Sequence, residues 1–188
     1  MSAKKTLEDV YKQYTSLNML RNSAKESVER NANTKFARAI NIPVKRGGNK
    51  SKQAAIDKYF DQLYADITEL YILKLITTFE KILFDKIDNT HGIFERAVAQ
   101  KCEKLEEPIS FSKSSGSFIK NPEDIRSLSG TKNILKNQIS QELFEDLKKI
   151  IDHRNWLLHG KRRTLGKDSN LNIEEIKEIL VNIIDDIG

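Results

Sequence analysis

The chain has 188 residues, 38% of them hydrophobic and 31% charged, and its 32 Lys and Arg against 27 Asp and Glu leave a net charge of +5. That is enough chain for one domain and too much apolar content for a fully disordered protein. The single cysteine, Cys102, excludes an intrachain disulfide, and with only three histidines (His91, His153, His159) in no paired ligand spacing, a structural zinc site is not expected.

Eight glycines and three prolines are few breakers, so long helices are expected. The N-terminal segment MSAKKTLEDVYKQY has no apolar run after its lysines and does not read as a signal peptide. No stretch reaches the roughly 18 consecutive apolar residues of a spanning helix. The richest, Tyr71 to Phe84, is interrupted by Lys74, Glu80 and Lys81. A soluble, cytoplasmic protein with no membrane partner is expected, in a reducing compartment. The charge permits a nucleic-acid partner without requiring one.

In chain order, residues 5 to 40 read as helical but polar, with a stripe of Leu7, Val10, Tyr11, Tyr14, Leu17 and Leu20. Residues 41 to 52, NIPVKRGGNKSK, are a basic breaker, because Pro43 and Gly47-Gly48 stop a helix and the cations repel. GGNKS lacks the earlier glycine of a phosphate loop, and Lys45, Arg46, Lys50 and Lys52 read as plain loop charge. Residues 53 to 88 carry the strongest helical pattern, through Leu63, Ile67, Leu70, Tyr71, Ile76, Phe79, Ile82, Leu83 and Ile87. Its wide apolar arc predicts a central position in a bundle. Asn89-Thr90-His91-Gly92 is expected to end it, with a shorter helix over about 93 to 105. Residues 107 to 132, rich in Ser, Gly and Lys, predict a long polar excursion on which Phe111, Phe118 and Ile119 can dock back.

A helix is predicted from about 140 to 159, with Ser140 as N-cap, Glu142 in the first turn and Gly160 as the stop. The last helix starts at Asn172, where Glu175 completes a capping-box pattern, and buries Ile173, Ile176, Leu180, Ile183, Ile184 and Ile187. No segment alternates for long enough to argue a sheet. The expected fold is all-α, an antiparallel bundle in a single domain spanning 1–188. Within it, residues 1–50 are read as an N-terminal helical arm and basic loop, and 53–188 as the bundle proper.

The segment I-I-D-H-R-N-W-L-L-H-G-K-R-R, residues 150 to 163, carries the chemistry. On a wheel at about 100° per residue with Leu147 at zero, Leu143, Phe144, Leu147, Ile150, Ile151, Leu157 and Leu158 fill the core arc. Arg154 falls at about −20°, inside that arc, where a guanidinium must be paired or reach a polar cleft. Asn155, His159 and Asp152 share one flank at about 80° to 140°. Trp156 lies at about 180°, opposite the core, so the only tryptophan reads as an interface contact. His153, at about 240°, reads as a solvated surface residue. His159 stands at the helix C-terminus, where the dipole favours an imidazolium suited to acid–base work. Lys161, Arg162 and Arg163 follow and can attract phosphates. Cys102 has no evident base and reads as structural.

R-N-W-L-L-H is an R-x4-H with a polar residue after the arginine, near the end of a bundle helix and downstream of ELYILKLITTFEKIL (Glu69 to Leu83). In these features residues 55 to 187 resemble the HEPN superfamily. The resemblance implies a small helical bundle, usually a homodimer, whose two R-x4-6-H motifs meet across the two-fold axis. It also implies a metal-independent endoribonuclease with no cofactor, of the kind found in toxin–antitoxin pairs and phage defence. Arg154, Asn155 and His159 would be its catalytic residues, Lys161, Arg162 and Arg163 would bind RNA, and an antitoxin or defence-operon protein would be a further partner. The implied chemistry is attack by the RNA 2′-OH, giving a 2′,3′-cyclic phosphate and a 5′-OH. Family members controlled by AMP attachment carry a tyrosine two residues after the histidine. Here that position is Lys161, so such control is not expected. A HEPN-fold RNA-binding or protein-interaction module without cleavage is the alternative.

Plainer roles exist for each residue. Arg154 can form a buried ion pair with a bundle acid such as Glu80, His159 can simply cap a helix, and Asn155 can bond a neighbour on the helix surface. Lys161, Arg162 and Arg163 can be a solvated helix-end cluster, and Trp156 can cover an apolar neighbour. Arg154 and His159 stand about 140° apart, so one straight helix does not aim both at the same atom. A subunit partner, an outward bend of Arg154 or unwinding near Gly160 would have to bring them together.

Overall fold

A computed structural model describes residues 3–30, 49–102, 135–136, 138–160 and 171–188, and of 49–52 and 91–102 the backbone alone. These residues form four helices and no strand: α1 (Ala3–Arg30), α2 (Asn49–Cys102), α3 (Gln141–Leu158) and α4 (Ile173–Asp186). The fold is an all-α helical bundle. The 107–132 excursion, Lys45, Arg46 and the Lys161–Arg163 triplet lie outside the described residues.

The helix ends follow local chemistry. Ser140 caps α3 by accepting from the Leu143 N–H at 3.3 Å. Gly160 follows its last turn at a φ of 66°, a left-handed conformation that glycine adopts without a Cβ penalty. Asn172 and Glu175 make a reciprocal capping box on α4, with the Asn172 side chain accepting from Glu174 and Glu175 at 2.9 Å and Glu175 accepting from the Asn172 N–H at 2.8 Å.

One expected boundary is absent. The helices predicted over 53–88 and 93–105 are a single helix, α2, of 54 residues, which passes through Asn89–Gly92 without stopping. A lone glycine in a helix interior costs only about 1 kcal/mol relative to alanine, and no proline is present there to remove a backbone donor. Thr90 donates its hydroxyl to the Lys86 carbonyl one turn back, at 2.8 Å, and so stays compatible with the helix. The helix also starts at Asn49, inside the stretch read as a breaker.

α2 packs against each of the other three helices. Ile72, Leu75, Ile76, Phe79 and Leu83 are buried along it and meet Leu7, Val10 and Tyr14 of α1, Phe144, Leu147, Ile150 and Ile151 of α3, and Ile176, Leu180, Ile183 and Ile184 of α4 in one core. Leu135 and Ile139, just before α3, close the same core. A helix at the centre needs an apolar arc wide enough for three partners, which explains the breadth of its pattern.

The first half of α1 thus belongs to the main core rather than standing off as an arm. Among the described residues its second half packs on α2, where Val28 meets Ile56 and Phe60 in a separate small cluster. The two helices run antiparallel: Gln13 accepts from Lys74 at 2.7 Å, the Arg21 guanidinium donates to the Phe60 carbonyl at 3.2 Å, and Lys25 pairs with Asp57 at 2.7 Å. α1 is likewise antiparallel to α4, through Lys4–Asp185 at 2.9 Å and a Tyr11–Glu174 hydrogen bond of 2.6 Å. Burial first, and then donation to Glu174, push the Tyr11 phenol up to about 12.

Candidate functional site

The candidate residues stand on the last two turns of α3. Its core arc begins as expected, with Leu147 and Ile150 fully buried and Ile151 nearly so. One turn later the arc opens. Arg154 is half-buried, and Leu158, one turn beyond it on the same face, is 56% exposed. Leu158 was expected in the core, and this is a correction. The wheel gives a residue's azimuth but not the height at which its neighbours stop, and Leu157, beside Leu158 in the same turn, still packs on the core.

Arg154 reaches across to α2. Its Nη2 lies 3.2 Å from Glu80 Oε1 and 3.4 Å from Oε2, so one nitrogen serves both carboxylate oxygens. The guanidinium makes no other hydrogen bond to a described residue. Glu80 sits between Ile76, Phe79 and Leu83 on the buried side of α2 and is only 9% exposed, whereas the Arg154 side chain keeps 29% of its surface in solvent. Burial raises the Glu80 carboxyl above its ordinary range, and the Arg154 charge partly opposes that rise. The pairing foreseen for an arginine in a core arc is therefore what the fold contains.

Asn155 is half-buried, and its side chain makes no hydrogen bond to a described residue. Its backbone carbonyl accepts the His159 N–H at 2.9 Å in the closing turn. His159 is the C-cap residue of α3 and is exposed, and its ring likewise bonds no described residue. Arg154, Asn155, Leu158 and His159 share the last two turns of α3. They are a cation tied to Glu80, an amide and an imidazole that bond no described residue, and an exposed apolar side chain.

The other side of the same helix differs from the sequence-based expectation. His153, read as solvated, is only 4% exposed, and Trp156, read as facing outward, is half-buried. The two rings meet edge to face, with centroids 5.8 Å apart and planes at 73°. α3 is thus covered on a second face as well as on its core arc. A single-arc wheel has no means of showing a second covered face, because His153 and Asp152 are both polar and only one of them is buried.

Among the described residues no cluster of His, Cys, Asp and Glu is arranged to hold a metal ion, and no helix is long and apolar enough to cross a membrane. Comparison with family models, curated proteins and solved structures finds no match for the chain.

Proposed function

We propose that the protein is a HEPN-type, metal-independent endoribonuclease, cytoplasmic and active as a homodimer, serving as a toxin or phage-defence component with an antitoxin or operon partner. The observation that carries this reading is the last two turns of α3, which hold Arg154 anchored on Glu80 together with Asn155 and His159, whose side chains bond no described residue. An exposed leucine next to these polar groups is the composition expected of a subunit contact. Two such helix ends related by a two-fold axis would put two imidazoles and two guanidinium groups around one phosphodiester.

The chemistry then follows from the substrate. RNA carries its own nucleophile, the 2′-OH. One His159 accepts its proton while the other protonates the departing 5′-oxygen. Arg154 stabilises the charge that builds on the pentacoordinate phosphorus, and Asn155 holds a phosphate oxygen. A 2′,3′-cyclic phosphate and a 5′-OH result. Lys161, Arg162 and Arg163 extend the cationic track along the strand.

The Glu80–Arg154 ion pair favours a second reading, a non-catalytic HEPN-fold module that binds RNA or protein, because a guanidinium already paired has less to give a phosphate. Incubating purified protein with RNA in EDTA, as wild type, Arg154→Ala and His159→Ala, separates the two. The nuclease reading expects cleavage to 2′,3′-cyclic ends that falls at least about 100-fold in both variants. RNA binding without cleavage supports the module.

A further inference from the structure

We propose that Glu80 is a positioning residue of this site: it seats Arg154 through a single nitrogen and leaves the rest of the guanidinium edge to meet the substrate phosphate. The inference rests on the endoribonuclease reading and adds a residue from a different helix to the site.

The geometry of the pair supports this role over a closed structural salt bridge. A guanidinium offers five N–H donors in a planar fork, and a self-sufficient Arg–carboxylate pair engages two of its nitrogens side by side. Here both Glu80 oxygens lie on Nη2, at 3.2 and 3.4 Å, and neither Nη1 nor Nε bonds a described residue. The Arg154 side chain also keeps 29% of its surface exposed, against 11% for Glu80. The anchor itself is rigid. Glu80 follows Phe79, which is fully buried, and lies one turn from Ile76 and Leu83, which are also buried in the main core. A carboxylate in that seat has little rotamer freedom, so it fixes where Nη2 sits and hence the plane of the fork. Without it, Arg154 is free to swing into solvent. A misplacement of about 1 Å at a reacting centre is enough to slow a reaction on the order of 100-fold.

The test measures kcat and KM for RNA cleavage in EDTA for wild type, Glu80→Gln, Glu80→Ala, Arg154→Ala and the Glu80→Ala/Arg154→Ala double variant, with melting curves in parallel. The expected result is a kcat about 10- to 100-fold lower for Glu80→Ala with little change in KM. Glu80→Gln, which keeps an acceptor and the side-chain volume, should recover part of that loss. The double variant should cleave no more slowly than Arg154→Ala alone, because the two residues act as one unit. A folded Glu80→Gln and Glu80→Ala pair with wild-type kcat would overturn the role of Glu80 and leave the nuclease reading intact. So would a double variant whose loss is the product of the two single losses. If Glu80→Ala fails to fold, the near-isosteric Glu80→Gln decides alone, since a wild-type kcat in it refutes the proposal. Unchanged cleavage in both Arg154→Ala and His159→Ala would instead remove the nuclease reading, and this inference with it.

Discussion

Glu80 and Arg154 bring a carboxylate and a guanidinium together between two helices. Glu80 sits where water is nearly excluded, and its proton affinity rises because the ionised form loses more hydration than the nearby Arg154 returns. The native state therefore holds this proton more tightly than the unfolded chain does. In the pH range just above the ordinary carboxylate value, the stability contributed by Glu80 falls as pH rises. Glu80→Gln removes that titration. The difference in unfolding free energy, wild type minus Glu80→Gln, should therefore decrease as pH rises above the ordinary carboxylate range in urea titrations. An increase would show that attraction to Arg154 outweighs burial. A charge inside a leucine-rich arc had to be matched, so this pair was legible from the wheel. The burial of His153 was not, because it depends on what covers the far side of α3.

At the scale of the element, the helix termini are where sequence speaks most directly. Ser140, Gly160 and the Asn172–Glu175 box each act within one turn, and each stands where the residue types place it. Asn172→Ala removes the acceptor for two backbone N–H groups and should cost about 1 kcal/mol of unfolding free energy, measurable by chemical denaturation. Asn89–Gly92 failed as a stop signal for the opposite reason. Breaking a helix there requires that something be gained by turning, and nothing local to four residues decides that. Central packing is also why Leu147→Ala, at a fully buried position of α3, should cost about 3 kcal/mol by the same assay.

At the scale of the whole molecule, the proposed reaction requires two copies. Leu158, 56% exposed, is the apolar side chain that stands on the same two turns as the proposed catalytic residues. Leu158→Glu should leave the fold within about 0.5 kcal/mol of wild-type stability, since it replaces an exposed side chain. It should also convert a dimer to a monomer in sedimentation analysis and abolish RNA cleavage with it. A wild-type protein that sediments as a strict monomer at all concentrations would remove the composite site. RNA affinity should also fall steeply with salt, by an amount set by how many cations reach phosphates.

The helical class, the caps, the central place of the Leu63–Ile87 segment and the need for a partner to Arg154 are all legible in the residues alone. These follow from periodicity, from end chemistry and from the cost of an unmatched charge, all of which act locally or through burial alone. It takes the folded chain to show that α2 runs unbroken to Cys102, that the first half of α1 enters the core, that His153 is covered and that Leu158 is not. Each of these depends on which neighbour stands at a given height along a helix. Periodicity records the direction in which a side chain points, and packing determines whether anything is there to meet it.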